Sequence, residues 1–77
     1  MKRLQYRILL RNEPEGGYTV IVPALSGCIT YGKIVGEAIA RAKEAIEVYV
    51  EDLMEKGEEI PTEEGLLEYR LTVEVHA

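Results

Sequence analysis

The run Gly16-Gly17-Tyr18-Thr19-Val20-Ile21-Val22-Pro23-Ala24-Leu25-Ser26-Gly27-Cys28-Ile29-Thr30-Tyr31-Gly32 decides how this chain is to be read. From Tyr18 to Pro23 the side chains alternate, with Tyr18, Val20 and Val22 on one face, which is the period of a half-buried strand. Ala24-Leu25-Ser26-Gly27 interrupts that run, and Cys28-Ile29-Thr30-Tyr31, closed by Gly32, forms a further short apolar segment. Upstream, Asn12-Glu13-Pro14-Glu15-Gly16-Gly17 gathers turn residues, proline fixing φ and the glycines permitting positive φ. Before that turn, Leu4 to Arg11 alternates again, Leu4, Tyr6, Ile8 and Leu10 against Gln5, Arg7, Leu9 and Arg11. Three short strands joined by tight connections predict an antiparallel meander.

Beyond Gly32 the period changes. Val35, Ile39, Ala42, Ile46, Tyr49 or Val50, and Leu53 recur at helical spacing, predicting a helix over 35–56 that Gly57 ends. Lys33, Ile34 and Val35 offer no side-chain oxygen to cap its first amides, so the apolar stripe has to stabilise it. A loop with Pro61 and Gly65 follows. Tyr69, Leu71, Val73 and Val75 then alternate with Arg70, Thr72, Glu74 and His76, predicting a last strand. Counting directions makes this strand parallel to the first, and a right-handed crossover gives an α+β domain with sheet order 3-2-1-4 and the helix on one face. The other face keeps Leu9, Ile21 and Ile29, so a homodimer or tetramer is expected.

The chain has 77 residues, which is one domain over 1–77. A chain of that length buries only roughly 60% of its unfolded surface. With 47% hydrophobic and 30% charged residues, disorder is excluded. Fourteen acidic against nine basic residues give a net charge of −5, the wrong sign for neutralising phosphates. Direct nucleic-acid binding is therefore not expected, whereas a basic protein partner is compatible. No apolar run approaches the roughly 18 residues of a membrane span. Met1-Lys2-Arg3-Leu4-Gln5 turns polar too soon for a signal peptide, so the expected location is cytoplasmic without membrane association.

Chemistry-bearing residues are few. Cys28 and His76 are single representatives of their types, so neither an internal disulfide nor a Cys/His zinc site can form within one chain. Cys28 is assigned to packing rather than nucleophilic chemistry, because its one possible histidine partner, His76, falls at the fraying end of the last strand and a small buried thiol in a strand is common. Ser26-Gly27 lacks a nucleophile elbow and Gly16-Gly17 lacks the length of a phosphate loop; both are read as turns. Glu37, Glu44, Glu47, Glu51, Glu55 and Glu58 fall within about 80° of the helix circumference, at 100° per residue. This ridge is convex, whereas a catalytic cation needs carboxylates converging from separate elements. No catalytic, cofactor-binding or metal-binding residue is assigned. The ridge is either a solvated face or an electrostatic attractor for a basic partner.

The opening run, followed by Glu37-Ala38 and Ala42-Lys43-Glu44-Ala45-Ile46, resembles the HicB-like antitoxin domain over residues 4–61. Members of that family read approximately Gly-Gly-Tyr-x-Val-x-Val-Pro-Asp-Leu-Pro-Gly-Cys and then start the helix with Gly-Asp-Thr/Ser. This chain departs at Ala24, Ser26, Lys33, Ile34 and Gly36. The resemblance implies a partial ribonuclease-H-like fold without that superfamily's catalytic carboxylates. It also implies a non-enzymatic antitoxin, which binds and masks a small basic mRNA interferase of the HicA type. Many members add a C-terminal DNA-binding segment; with the sequence ending at Ala77, none is expected here. Tyr18, Tyr31 and Tyr49 are candidate amphipathic anchors for the partner, and Glu44, Glu47, Glu51 and Glu55 its candidate attractors. Two other readings stand beside this one: a degenerate ribonuclease-H-like, metal-dependent nuclease, and an orphan structural or ligand-binding oligomer.

Overall fold

In a computed structural model the described residues are 3–76; Met1, Lys2 and Ala77, the ends of the domain expected over 1–77, lie outside them. Three strands, β1 (Leu9–Asn12), β2 (Tyr18–Ile21) and β3 (Ile29–Gly32), form one sheet in the order β1-β2-β3. Both pairings are antiparallel, with Leu9 opposite Ile21 and Ile21 opposite Ile29. The meander read from the sequence is therefore present, with each paired stretch shorter than the alternation. Residues 4–8 carry the alternation of β1 past the end of β2 without ladder bonds of their own. Pro23 stops β2 on that side, since it has no N–H to donate.

The turn before β2 closes through the Glu13 N–H on the Gly17 carbonyl and the Gly16 N–H on the Glu13 carbonyl. Gly16 and Gly17 both have positive φ, at 109° and 83°. Between β2 and β3, the Leu25 N–H bonds the Val22 carbonyl and the Cys28 N–H bonds the Leu25 carbonyl. This tight loop turns Leu25 inward, where only 1% of it remains exposed.

Helix α1 (Val35–Glu55) lies across one face of the sheet, mainly over β3 and β2. No side chain caps its first turn at Ile34, as the sequence predicts. Glu37 partly compensates by accepting from the Lys33 N–H at 2.8 Å. At the other end, the Gly57 N–H bonds the Met54 carbonyl and the Glu58 N–H bonds the Leu53 carbonyl, a Schellman closure with Gly57 at φ 68°.

The buried side of α1 is rotated from the predicted stripe. Ala38 and Ala42 are its fully buried residues, and Val35 and Ile39 are about half exposed. The cause is a close approach at Gly32: a Cβ there would lie 2.5 Å from the Ala38 Cα, so only glycine lets the helix start settle onto β3. Two clusters form the core. Val20, Ala38 and Ala42 pack with Ile8, Leu10 and Tyr18, while Val22, Leu25 and Cys28 pack with Tyr6, Ile8, Ala45, Ile46 and Tyr49.

The sheet order 3-2-1-4 requires correction, because residues 69–75 do not pair with β1 and form no strand of this sheet. The connecting segment returns to the N-terminal residues: the Tyr6 hydroxyl donates to the Pro61 carbonyl at 2.6 Å and the Arg7 N–H to Glu63 Oε2 at 2.7 Å. An ion pair between Arg7 and Glu68, at 2.6 Å, follows. Beyond Glu68 the chain leaves the body. Alternation is a local property that specifies an amphipathic strand, whereas pairing is non-local and depends on where the segment before it is anchored.

Candidate functional site

Two surfaces offer themselves to a partner, the outer side of α1 and the uncovered face of the sheet. Outward positions of α1 carry Glu44, Glu47, Glu51 and Glu55, all exposed. The described ion pairs join Arg7 to Glu68, Arg11 to Glu13 and Lys56 to Asp52, so none of them neutralises these four carboxylates. Their negative potential is therefore available to an approaching cation. Glu47/Glu51 and Glu51/Glu55 are like-charge i,i+4 pairs, each costing a few tenths of a kcal/mol that no folding requirement explains.

On the sheet, the register sets Leu9, Ile21 and Ile29 side by side across all three strands. Leu9 and Ile29 are 50% and 61% exposed, so an apolar row crosses the face opposite α1. Tyr31 continues this face, with Thr19 and Arg11 beside it in register. Its ring covers Gly17, and its hydroxyl donates to the Gly16 carbonyl at 3.0 Å. This contact fixes Tyr31 while leaving 45% of it exposed.

The other two tyrosines have different surroundings. Tyr18 is half-buried against Val20 and the helix alanines. Tyr49 packs on Val22, Leu25 and Cys28, and its hydroxyl donates to the Ser26 carbonyl at 2.8 Å, tying α1 to the β2–β3 loop. Thus the seven residues singled out in the sequence are not gathered at one place. Four line the outer helix, Tyr31 lies on the open sheet face, and Tyr18 and Tyr49 join the core.

Sequence reading missed a cleft between α1 and residues 4–8, the extended segment that leads into β1. Leu4, Tyr6, Ile8, Ile39, Ile46 and Val50 line it, with Lys43, Glu47 and Glu51 at its rim. Its volume is about 480 Å³. The exposed half of Ile39 opens onto it. A shallower and more polar depression on the β3 side is lined by Cys28, Thr30, Arg41, Glu44 and Tyr49, among others. Cys28 itself is buried, and burial pushes its thiol pKa up, away from the reactive thiolate. Among the described residues no group of three or more His, Cys, Asp or Glu is placed to hold a metal ion. No helix among them is long and apolar enough to cross a membrane.

Comparison with known proteins adds relatives to this geometry. A family model described as the HicB_like antitoxin of bacterial toxin-antitoxin system matches residues 6–76. A UPF0150 protein of Thermoplasma acidophilum is 43% identical over 58 residues, covering 75% of this chain and 84% of that protein. One from Synechocystis is 41% identical over 59 residues, 77% of this chain and 75% of the relative. A third, from Archaeoglobus fulgidus, is 42% identical over 48 residues, 62% and 70% of the two chains.

Proposed function

Since the chain belongs to the HicB-like antitoxin family, we propose that it is a non-enzymatic antitoxin module that binds and masks a basic mRNA interferase of the HicA type. The observation that carries this reading is the unneutralised ridge of Glu44, Glu47, Glu51 and Glu55 on a convex helix face. A ribonuclease toxin has to present cations to RNA phosphates, and a surface of the opposite sign competes for those cations directly. Long-range attraction accelerates encounter, and short-range contact by apolar and amphipathic groups then slows dissociation. Tyr31 with Leu9 and Ile29 supplies such groups on the open face; Tyr18 and Tyr49 contribute through the edges their packing leaves exposed. The acting unit in this reading is a homodimer or tetramer in the cytoplasm, and neither DNA nor membrane enters the mechanism.

Stopped-flow association with a purified HicA-type toxin tests the reading. Changing Glu44, Glu47, Glu51 and Glu55 together to glutamine leaves helix propensity nearly constant. The association rate should then fall and its salt dependence flatten, while the dissociation rate changes less. An unchanged rate and salt slope would return the ridge to a solvated face. The nuclease alternative predicts metal-dependent RNA cleavage by the chain alone, and the convex placement of the carboxylates argues against it.

A further inference from the structure

Residues Leu67, Tyr69, Leu71, Val73 and Val75 share one side of an extended segment, and all are about 80% exposed. Arg70, Thr72, Glu74 and His76 occupy the other side. Such a segment is an amphipathic strand with its apolar side in water, an arrangement that one chain has no reason to retain. The segment also projects. The radius of gyration is 15.1 Å and the longest extent 49 Å, against about 11–12 Å expected for the radius of a compact chain this long.

The same molecule contains an unfilled counterpart. The cleft between α1 and residues 4–8 is apolar on both walls, with Leu4, Tyr6 and Ile8 facing Ile39, Ile46 and Val50. Alongside it, residues 4–8 and β1 present a backbone edge with no strand beside it, because the sheet ends at β1, although the Arg7 N–H is already bonded to Glu63. An amphipathic strand laid along that edge would satisfy the backbone and press its apolar side chains into the cleft. The opposite edge, at β3, has no apolar equivalent, since Arg41 and Glu44 make the depression beside it polar. At about 3.3 Å per residue, residues 69–75 are long enough to lie along most of residues 4–11.

We infer that residues 69–75 of one copy of this chain occupy the cleft of a second copy, each arm adding a strand beside the other's β1 in a reciprocal two-fold dimer. The arm's root is held at the cleft of its own chain by the Tyr6 hydroxyl on the Pro61 carbonyl, Arg7 on Glu63 and the Arg7–Glu68 ion pair. From that root the arm points outward, so a copy related by a two-fold axis receives it while returning its own. Reciprocal exchange closes the assembly, covers both apolar surfaces and removes both exposed β1 edges. No toxin is needed for this step, which stands independently of the antitoxin reading.

Sedimentation equilibrium of the full chain, with an arm variant carrying Leu71→Asp and Val73→Asp, tests the exchange. Neither side chain packs in the monomer, so helix content should be unchanged in the variant. The full chain should sediment as a dimer, and the variant should be monomeric at the same concentration. The receiving side is tested by Ile39→Asp, which should abolish dimerisation too. In a mixture of isotope-labelled and unlabelled chains, filtered NOE spectra should connect the methyls of Leu71, Val73 and Val75 to those of Ile8, Ile39 and Ile46 of the other chain. A concentration-independent monomer, a dimer unaffected by the arm variant, or arm-to-cleft NOEs found only within one chain would each overturn the inference.

Discussion

Glu13 accepts hydrogen bonds from the Thr19 hydroxyl and from the Arg11 guanidinium, the latter at 3.2 Å. These contacts, Thr19 first, hold its carboxyl below the usual carboxylate range. Folding therefore favours the ionised form. The resulting stabilisation is complete above the unfolded pKa and disappears as pH falls through the lowered folded value. Glu13→Gln should lower stability near neutrality and lose that effect in strong acid, as urea unfolding of both proteins at the two extremes would show. Cys28 illustrates the opposite environment: a buried thiol, its pKa raised by burial, should react with a thiol reagent far more slowly in the folded protein than in urea. Cys28→Ser should cost about 1–2 kcal/mol by burying a hydroxyl, leaving partner affinity intact. Gly17 is more constrained than either, since its φ is 83° and Tyr31 lies where a Cβ would project. Tyr31 and Gly17 could be assigned to a strand and a turn from sequence, but their contact joins residues separated by a whole hairpin. Nothing local announces it.

Among the elements, α1 was legible to within a residue at each end because its period, the missing cap at Ile34 and the stop at Gly57 are local signals. Which side it buries was not equally legible. Ile39 belongs to the apolar stripe by spacing, yet the helix rolls toward Ala38 and Ala42 because Gly32 admits the Ala38 backbone so closely. Gly32→Ala should therefore push the helix start off β3 and cost about 1–3 kcal/mol, the usual penalty for overpacking, measured by chemical denaturation. The quadruple glutamine variant of the ridge should instead match the wild type or gain a few tenths of a kcal/mol, since it removes like-charge neighbours. The alternation over residues 69–75 was read correctly as amphipathic, and its partner was not. A period of two describes one chain's surface, while the edge that receives it is set by where the loop over 58–68 is anchored, at Tyr6 and Arg7.

At the scale of the molecule, a thin two-layer body presents an acidic helix outside, an apolar row on its open sheet face and an extended arm beside an empty cleft. The acidic ridge could be read from glutamate spacing because exposed side chains on a helix follow its geometry. The apolar row needed the strand register, and the cleft needed the positions of α1 and residues 4–8 together. Family membership puts these surfaces on a HicB-like antitoxin domain, and capture of a toxin is the act proposed for them. The most direct measurement follows RNA cleavage by a purified HicA-type toxin as this chain is titrated in. Cleavage should fall to zero at a fixed stoichiometric ratio, with no cleavage by the chain alone in the presence or absence of divalent cations. Full toxin activity at excess antitoxin, or RNA cleavage by the chain itself, would contradict the account.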